Sequence, residues 1–193
     1  PDSSPAGLAA WARLKGIQVI GTGDCTHPGW FKLLKEQLEP AEPGFYRLKD
    51  ESTIPTVMPG APRSEEPVRF LLSAEISSSY KRGGATRKIH NLLYLPNFTA
   101  VERLNAKLAG IGNIESDGRP ILGLDSRNLL EIMLECSPDA FLVPAHIWTP
   151  WFSLFGSKSG FDSIEECFAD LSSHIFALET GLSSDPDMNR LIS

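Results

Sequence analysis

The chain has 193 residues, 41% of them hydrophobic, enough to bury one core and to form one domain or most of one. Its formal net charge is −6, whereas a generic nucleic-acid coat is basic, so a nucleic-acid role requires a local patch, bound cations or a part outside the chain. No apolar run is long enough for a membrane span, and the opening "PDSSPAGLAAW" lacks the charged and apolar regions of a signal peptide, so the expected location is the cytoplasm. That opening is abrupt, as though a segment preceded it.

Taken in order, "GLAAWARLKG" (Gly7 to Gly16) reads as a helix stopped by glycine. "IQVIG" reads as a strand, and "WFKLLKEQLE" (Trp30 to Glu39) as a second helix with Pro40 beyond it. Residues 40–67 are rich in proline and glycine and without periodicity, which predicts an insertion outside the core. "VRFLLSAEIS" (Val68 to Ser77) is expected to be a buried strand, "SSYKRGGATRK" a basic glycine loop and "HNLLYLP" another strand. "NFTAVERLNAKLAGIG" is the clearest helix, with Thr99 and Glu102 as its capping box. "SRNLLEIMLECSP" reads as a helix, "AFLVP" (Ala140 to Pro144) as a strand, and "FDSIEECFADLSS" as a helix with a second capping box at Ser163 and Glu166. "HIFALETG" is a further expected strand. Strands alternating with helices predict an α/β domain with a parallel sheet. The three cysteines (Cys25, Cys136, Cys167) are odd in number and lack zinc-finger spacing, which predicts free thiols in a reducing compartment.

Ionisable residues recur where these strands end. "IQVIGTGD" ends at Asp24, "FLLSAE" at Glu75, "AFLVPAH" at His146 and "IFALE" at Glu179, with His27 and His90 near the same kind of boundary. In parallel α/β folds those ends form the active-site face. Carboxylates and imidazoles gathered there suit zinc, manganese or iron, and two such ions can activate water and clamp the leaving oxygen of a phosphoester. Taken singly, each residue has a plainer reading: a strand-end carboxylate is commonly a helix cap, His90 is equally a core histidine, and His174 suits a solvated helix end. Glu179 is left outside the metal set. No G-x-S-x-G context surrounds Ser73, Ser77 or Ser153, which argues against a serine hydrolase.

The segments "GTGDCTHPGW", "FLLSAEISSSYKRGG", "RKIHNLLYLP", "GRPILGLDS", "VPAHIWTPWFSLFGSKSGFDSIEECF" and "ALETGLSSDPDMN" resemble the endonuclease Q family, a branch of the PHP (polymerase and histidinol phosphatase) superfamily of metal-dependent phosphoesterases. The resemblance runs from about Leu8 to Asn189. It implies a distorted (β/α)7 barrel over residues 1–193, here incomplete at both ends, because the family's opening H-x-H and closing D-x-H motifs are not in the chain. It implies two or three divalent ions (zinc, manganese or magnesium) and cleavage of DNA 5′ of deaminated bases (uracil, hypoxanthine, xanthine) or abasic sites. Glu75 matches the bridging carboxylate and His146 a metal-binding histidine. Asp24 and His27 fall at the second motif of the superfamily, with the spacing leaving open which of them is the ligand; His90 is a further candidate. Glu75, His146 and Asp24 are then the catalytic set.

A flipped nucleotide would find stacking partners in Trp148 and Trp151, with Phe152 and Phe155 reading rather as core, and polar contacts in Ser157 and Lys158. Tyr80, Lys81, Arg82, Arg87 and Lys88 are candidates for phosphates, equally readable as a solvated charge cluster. Two rivals stand beside this reading: a PHP phosphatase of small phosphomonoesters, and a non-catalytic PHP-like binding domain.

Overall fold

The computed structural model describes residues 3–116, 119–181 and 186–190. The organising element is strand β4 (Arg69–Arg82), followed by the next longest strand, β5 (Ala85–Leu95). Along β4 the even positions Phe70, Leu72, Ala74 and Ile76 are buried apolar side chains, while Ser73, Glu75 and Ser77 take the odd positions. Period-2 alternation gives the sheet one apolar and one polar face. The two strands join through Gly83 and Gly84, both at positive φ (60° and 76°), the conformation a two-residue hairpin turn requires. They pair antiparallel from Arg82↔Ala85 to Leu72↔Leu95.

Other strands assemble around this ribbon. β1 (Val19–Gly21) and β6 (Ile121–Leu122) pair parallel with β4. β2 (Leu38–Pro40) and β3 (Tyr46–Leu48) form a hairpin that meets β4 at Tyr46↔Phe70. β7 (Phe141–Pro144) pairs antiparallel with the outer edge of β5. The main path is β2-β3-β4-β5-β7 within a seven-stranded sheet.

Helix α1 (Pro5–Lys15) starts at Ser4, whose hydroxyl accepts the Gly7 N–H, and stops at Gly16. α2 (Pro28–Gln37) follows β1, and α3 (Phe98–Ala109) follows β5. α4 (Ser126–Cys136) precedes β7; the short α5 (Ile164–Phe168) and α6 (Pro186–Arg190) come late in the chain. Leu104 and Leu108 of α3 and Leu129, Leu130 and Met133 of α4 pack with Leu72, Leu93 and Leu142 in one buried cluster. The helices thus cover the apolar face and leave the polar face of β4 free to carry a site.

The structure corrects several expectations. The fold is mixed α/β, but among the described residues the sheet is mixed and open, not a parallel (β/α)7 barrel. The reason lies at Gly83-Gly84: a tight turn sends the chain straight back beside itself, with no crossover helix of the kind parallel neighbours need. The expected basic loop is therefore paired strand, and Glu75 lies in mid-strand instead of at an end. α3 is capped by Asn97, whose side-chain oxygen accepts the Ala100 N–H, in place of Thr99. Ser163 does cap α5, accepting the Glu166 N–H, while the Glu166 carboxylate reaches back to the Asp162 N–H. "HIFALETG" forms no strand; a short 3-10 helix (Ala169–His174) runs into irregular chain. Residues 40–67 contain the end of the β2–β3 hairpin and a 3-10 turn (Glu51–Thr53), then pass α1, where the Ser64 N–H donates to the Arg13 carbonyl at 2.8 Å. All three cysteines are free and buried, and burial pushes the Cys25 thiol far up, so it is no nucleophile. Among the described residues, no helix is long and apolar enough to cross a membrane.

Candidate metal centre

The β4–β5 register decides which side chains meet. Glu75 pairs with Leu92, and His90 pairs with Ser77. Paired residues of antiparallel strands share a face, so Glu75 and His90 are diagonal neighbours on the polar side. His146 arrives from the chain just beyond β7. Regular alternation after Ala145, whose N–H donates to the His90 carbonyl at 2.9 Å, would point His146 to the opposite face. Its left-handed φ of 33° breaks the alternation and returns the ring to the polar face.

The result is a tight triad. His90 Nδ1 lies 3.1 Å from His146 Nε2, and Glu75 Oε1 lies 3.4 Å from His90 Nδ1 and 3.7 Å from His146 Nε2. Among the described residues, Glu75, His90 and His146 are the group whose potential ligand atoms all fall within 4.8 Å of one another. Glu75 Oε1 is buried without a hydrogen-bond donor, an arrangement that costs free energy unless a cation completes it. One carboxylate and two imidazoles are a donor set for a divalent metal. The residues present therefore fit such an ion.

Neighbouring groups hold these three in place. The His90 ring stacks on Phe152 with centroids 4.8 Å apart. Burial, then the Arg119 charge, then His146, push the His90 imidazole down to about 3, so at neutral pH it is uncharged and keeps a lone pair. Arg119 donates to Glu75 Oε2 at 2.7 Å. His146 Nδ1 lies 2.9 Å from the Thr149 hydroxyl, and the His146 N–H donates to Glu179 Oε2 at 2.7 Å. The 149–160 loop acts as an irregular strand beyond β7: the His90 N–H donates to the Phe152 carbonyl at 2.9 Å and the Lys88 N–H to the Ser159 carbonyl at 3.2 Å.

Asp24 and His27 are not among the three clustered residues. Asp24 is exposed in the loop after β1, at φ 45°, and its carbonyl accepts the His27 N–H. His27 is the N-cap of α2, its Nδ1 facing the Trp30 N–H at 3.4 Å. The loop leans on β4: the Gly23 N–H donates to the Ser73 hydroxyl and the Cys25 N–H to the Ser73 carbonyl, both at 3.0 Å. Ser73 shares its face of β4 with Glu75, so Asp24 borders the triad's strand on the polar side.

The nucleic-acid candidates divide by what already engages them. Arg82 donates to the Asp125 carboxylate and the Cys167 carbonyl, and Arg87 donates to the Gly160 carbonyl with its guanidinium 4.2 Å from the Phe161 ring centroid. Tyr80 packs against the core, and burial pushes its hydroxyl far up. Trp148 Nε1 donates to Asn189 at 3.1 Å. Lys81, Trp151, Ser157 and Lys158 are exposed, and the Lys88 ammonium sits 5.2 Å from the Phe152 ring centroid. Trp148, Phe155 and Phe161 also line an open cleft of about 470 Å³ beside Asp162.

Two solved structures overlay nearly the whole chain. The crystal structure of a lesion-specific endonuclease Q from Pyrococcus furiosus is 31% identical with a TM-score of 0.72, the match covering 96% of this chain and 39% of that one. A structure of endonuclease Q with a 27-mer duplex carrying an abasic lesion at the active site is 30% identical with a TM-score of 0.68, covering 96% of this chain and 42% of that one. These matches support an endonuclease Q family assignment. The PHP superfamily is consistent with that assignment. No protein-family model matches the chain. Among curated relatives, the uncharacterized protein YqxK of Bacillus subtilis is 29% identical over 93% of this chain and 41% of its own length. An uncharacterized protein of Methanocaldococcus jannaschii is 27% identical over 77% of this chain and 14% of its own length. The chain thus spans less than half of each of these relatives.

Sequence reasoning missed Thr149 and Arg119 and left Glu179 open. A signal for Thr149 exists: a hydroxyl three residues after a histidine, in a turn before proline, reaches back to the ring. Arg119 sits in "SDGRP", where nothing local marks a partner on β4.

Proposed function

We propose that the chain carries part of the metal centre of a DNA repair endonuclease that cuts 5′ of deaminated bases (uracil, hypoxanthine, xanthine) or of abasic sites, acting in the cytoplasm. The supporting observation is the convergence of Glu75, His90 and His146, with an orphaned carboxylate oxygen at its centre, in a chain that overlays a lesion-specific endonuclease. Glu75, His90 and His146 would hold a divalent ion, and Asp24 or His27 would serve a neighbouring one from the loop beside β4. The full centre takes two or three such ions, zinc, manganese or magnesium. Divalent cations would supply activation of water and neutralisation of developing charge on the phosphate. The chain's own residues align the ligands, with Glu75, His146 and Asp24 as the catalytic set. Lys81, Lys88, Ser157 and Lys158 offer contacts to the backbone, Trp151 offers a stacking surface, and the cleft beside Trp148 suits a base taken out of the helix.

The test is cleavage by the intact protein of duplexes carrying one uracil, one hypoxanthine or one abasic site, with and without chelator, next to a small phosphomonoester. Chelator-sensitive nicking of the damaged duplexes supports the proposal. Turnover of the phosphomonoester alone would make the protein a phosphatase, and absence of bound metal would make it a non-catalytic binding domain.

A further inference from the structure

Glu179 and Thr149 both touch His146, and neither belongs to the clustered donors. Glu179 makes three bonds to the segment around His146: its carboxylate accepts the His146 N–H at 2.7 Å, its carbonyl accepts the Ile147 N–H at 2.9 Å, and its own N–H donates to the Pro144 carbonyl at 3.0 Å. These bonds bracket the residue whose φ of 33° is disfavoured for a side chain with a Cβ.

Thr149 acts on the ring itself. Its hydroxyl oxygen lies 2.9 Å from His146 Nδ1, 2.9 Å from the Trp151 carbonyl and 3.2 Å from the His146 carbonyl. The hydroxyl has one hydrogen, and two carbonyl oxygens at hydrogen-bond distance repel its oxygen unless one of them receives it, so that hydrogen goes to a carbonyl. The oxygen is then the acceptor toward Nδ1, which must carry the imidazole proton. His146 Nε2, facing Glu75 and His90, is left with a bare lone pair. His90 Nδ1, 3.1 Å from that lone pair, must in turn carry its own proton when no metal is bound.

We propose that Thr149 and Glu179 are positioning residues for the metal centre: Thr149 fixes the tautomer of His146, and Glu179 fixes the strained backbone that aims it. This rests on the metal-centre reading above, but its test does not require cleavage. Long-range proton–nitrogen NMR of the metal-free full chain should show both His90 and His146 protonated on Nδ1. Adding zinc should move the His90 proton to Nε2 and leave His146 unchanged. Thr149→Val should mix the His146 tautomers and weaken zinc binding about tenfold or more, and Thr149→Ser should restore both. Glu179→Ala should weaken zinc binding with the His146 tautomer unchanged, and Glu179→Gln, which keeps an acceptor oxygen, should recover most of the loss. A His146 protonated on Nε2 in the parent protein overturns the role of Thr149 whether or not any variant folds. Unchanged zinc affinity in Glu179→Ala overturns the role of Glu179. A parent protein that binds no zinc defeats the metal-centre reading and the role of Glu179, while the tautomer still decides that of Thr149.

Discussion

Glu75→Gln is the most informative single substitution. In the metal-free protein it removes the charge facing Arg119, whose side chain is 40% exposed, so the lost ion pair is screened and contributes about 0–1 kcal/mol. The amide oxygen can still accept from Arg119, which offsets part of that loss. Stability should therefore stay within about 1 kcal/mol of the parent. Metal binding responds quite differently. Two unit charges about 4 Å apart attract by roughly 4 kcal/mol at an effective dielectric near 20, and a divalent ion doubles that. The amide dipole and the easier desolvation of a neutral side chain recover about half, leaving a net loss of about 3 to 4 kcal/mol, or two to three powers of ten in affinity. The assay is metal content and titrated zinc affinity of the folded protein, paired with urea unfolding, and then nicking of a uracil-containing duplex by the intact protein, which should fall by orders of magnitude. A Glu75→Gln protein that binds zinc and nicks like the parent would refute the reasoning. So would a large loss of stability with metal affinity intact, which would make Glu75 a structural residue.

The remaining predictions concern pH, the supporting loop and the surface. The His90 imidazole titrates near 6.5 when unfolded but at about 3 in the fold, so below about 6.5 the unfolded state binds more protons. Metal-free stability should be full above that pH and fall as pH drops toward 3, by at most about 1.4 kcal/mol per unit; urea midpoints measured across this range should shift accordingly, with a shallower dependence in His90→Gln. A Cβ added at Gly160 would lie 2.4 Å from the Gly156 nitrogen and 2.5 Å from the Leu154 carbonyl oxygen, so Gly160→Ala should cost about 2–3 kcal/mol and lower Tm by several degrees. Lys158→Ala should weaken DNA binding uniformly across sequences and reduce its salt dependence by about one unit, with stability unchanged. Arg82→Ala, which removes a donor from Asp125 and from the Cys167 carbonyl, should instead show first as a loss of stability.

Much of the local structure could be read from the chain because it depends on neighbours a few residues away. The helices at Trp30, Phe98 and Ser126 announce themselves by apolar spacing and flanking glycine or proline, and Ser163 caps its helix as its position suggests. Glu75, His90 and His146 stood out as ionisable residues beside apolar runs. What gathers them is not strand ends on a parallel barrel. It is the antiparallel register set at Gly83-Gly84, which makes Glu75 and His90 diagonal neighbours. That register belongs to one hairpin and is fixed by its two-residue turn, so the Gly-Gly pair is its signal in the sequence, concealed where the segment reads as a basic loop. The reversal at His146, by contrast, is invisible locally: a positive φ on a non-glycine residue is paid for by Glu179, 33 residues later. The basic residues show the same division. Composition placed Arg82, Arg87, Lys81 and Lys158 in one class, but only the packed structure sends the two arginines onto Phe161 and buried carbonyls and leaves the lysines in solvent, because burial and hydrogen bonding are properties of the assembled surface.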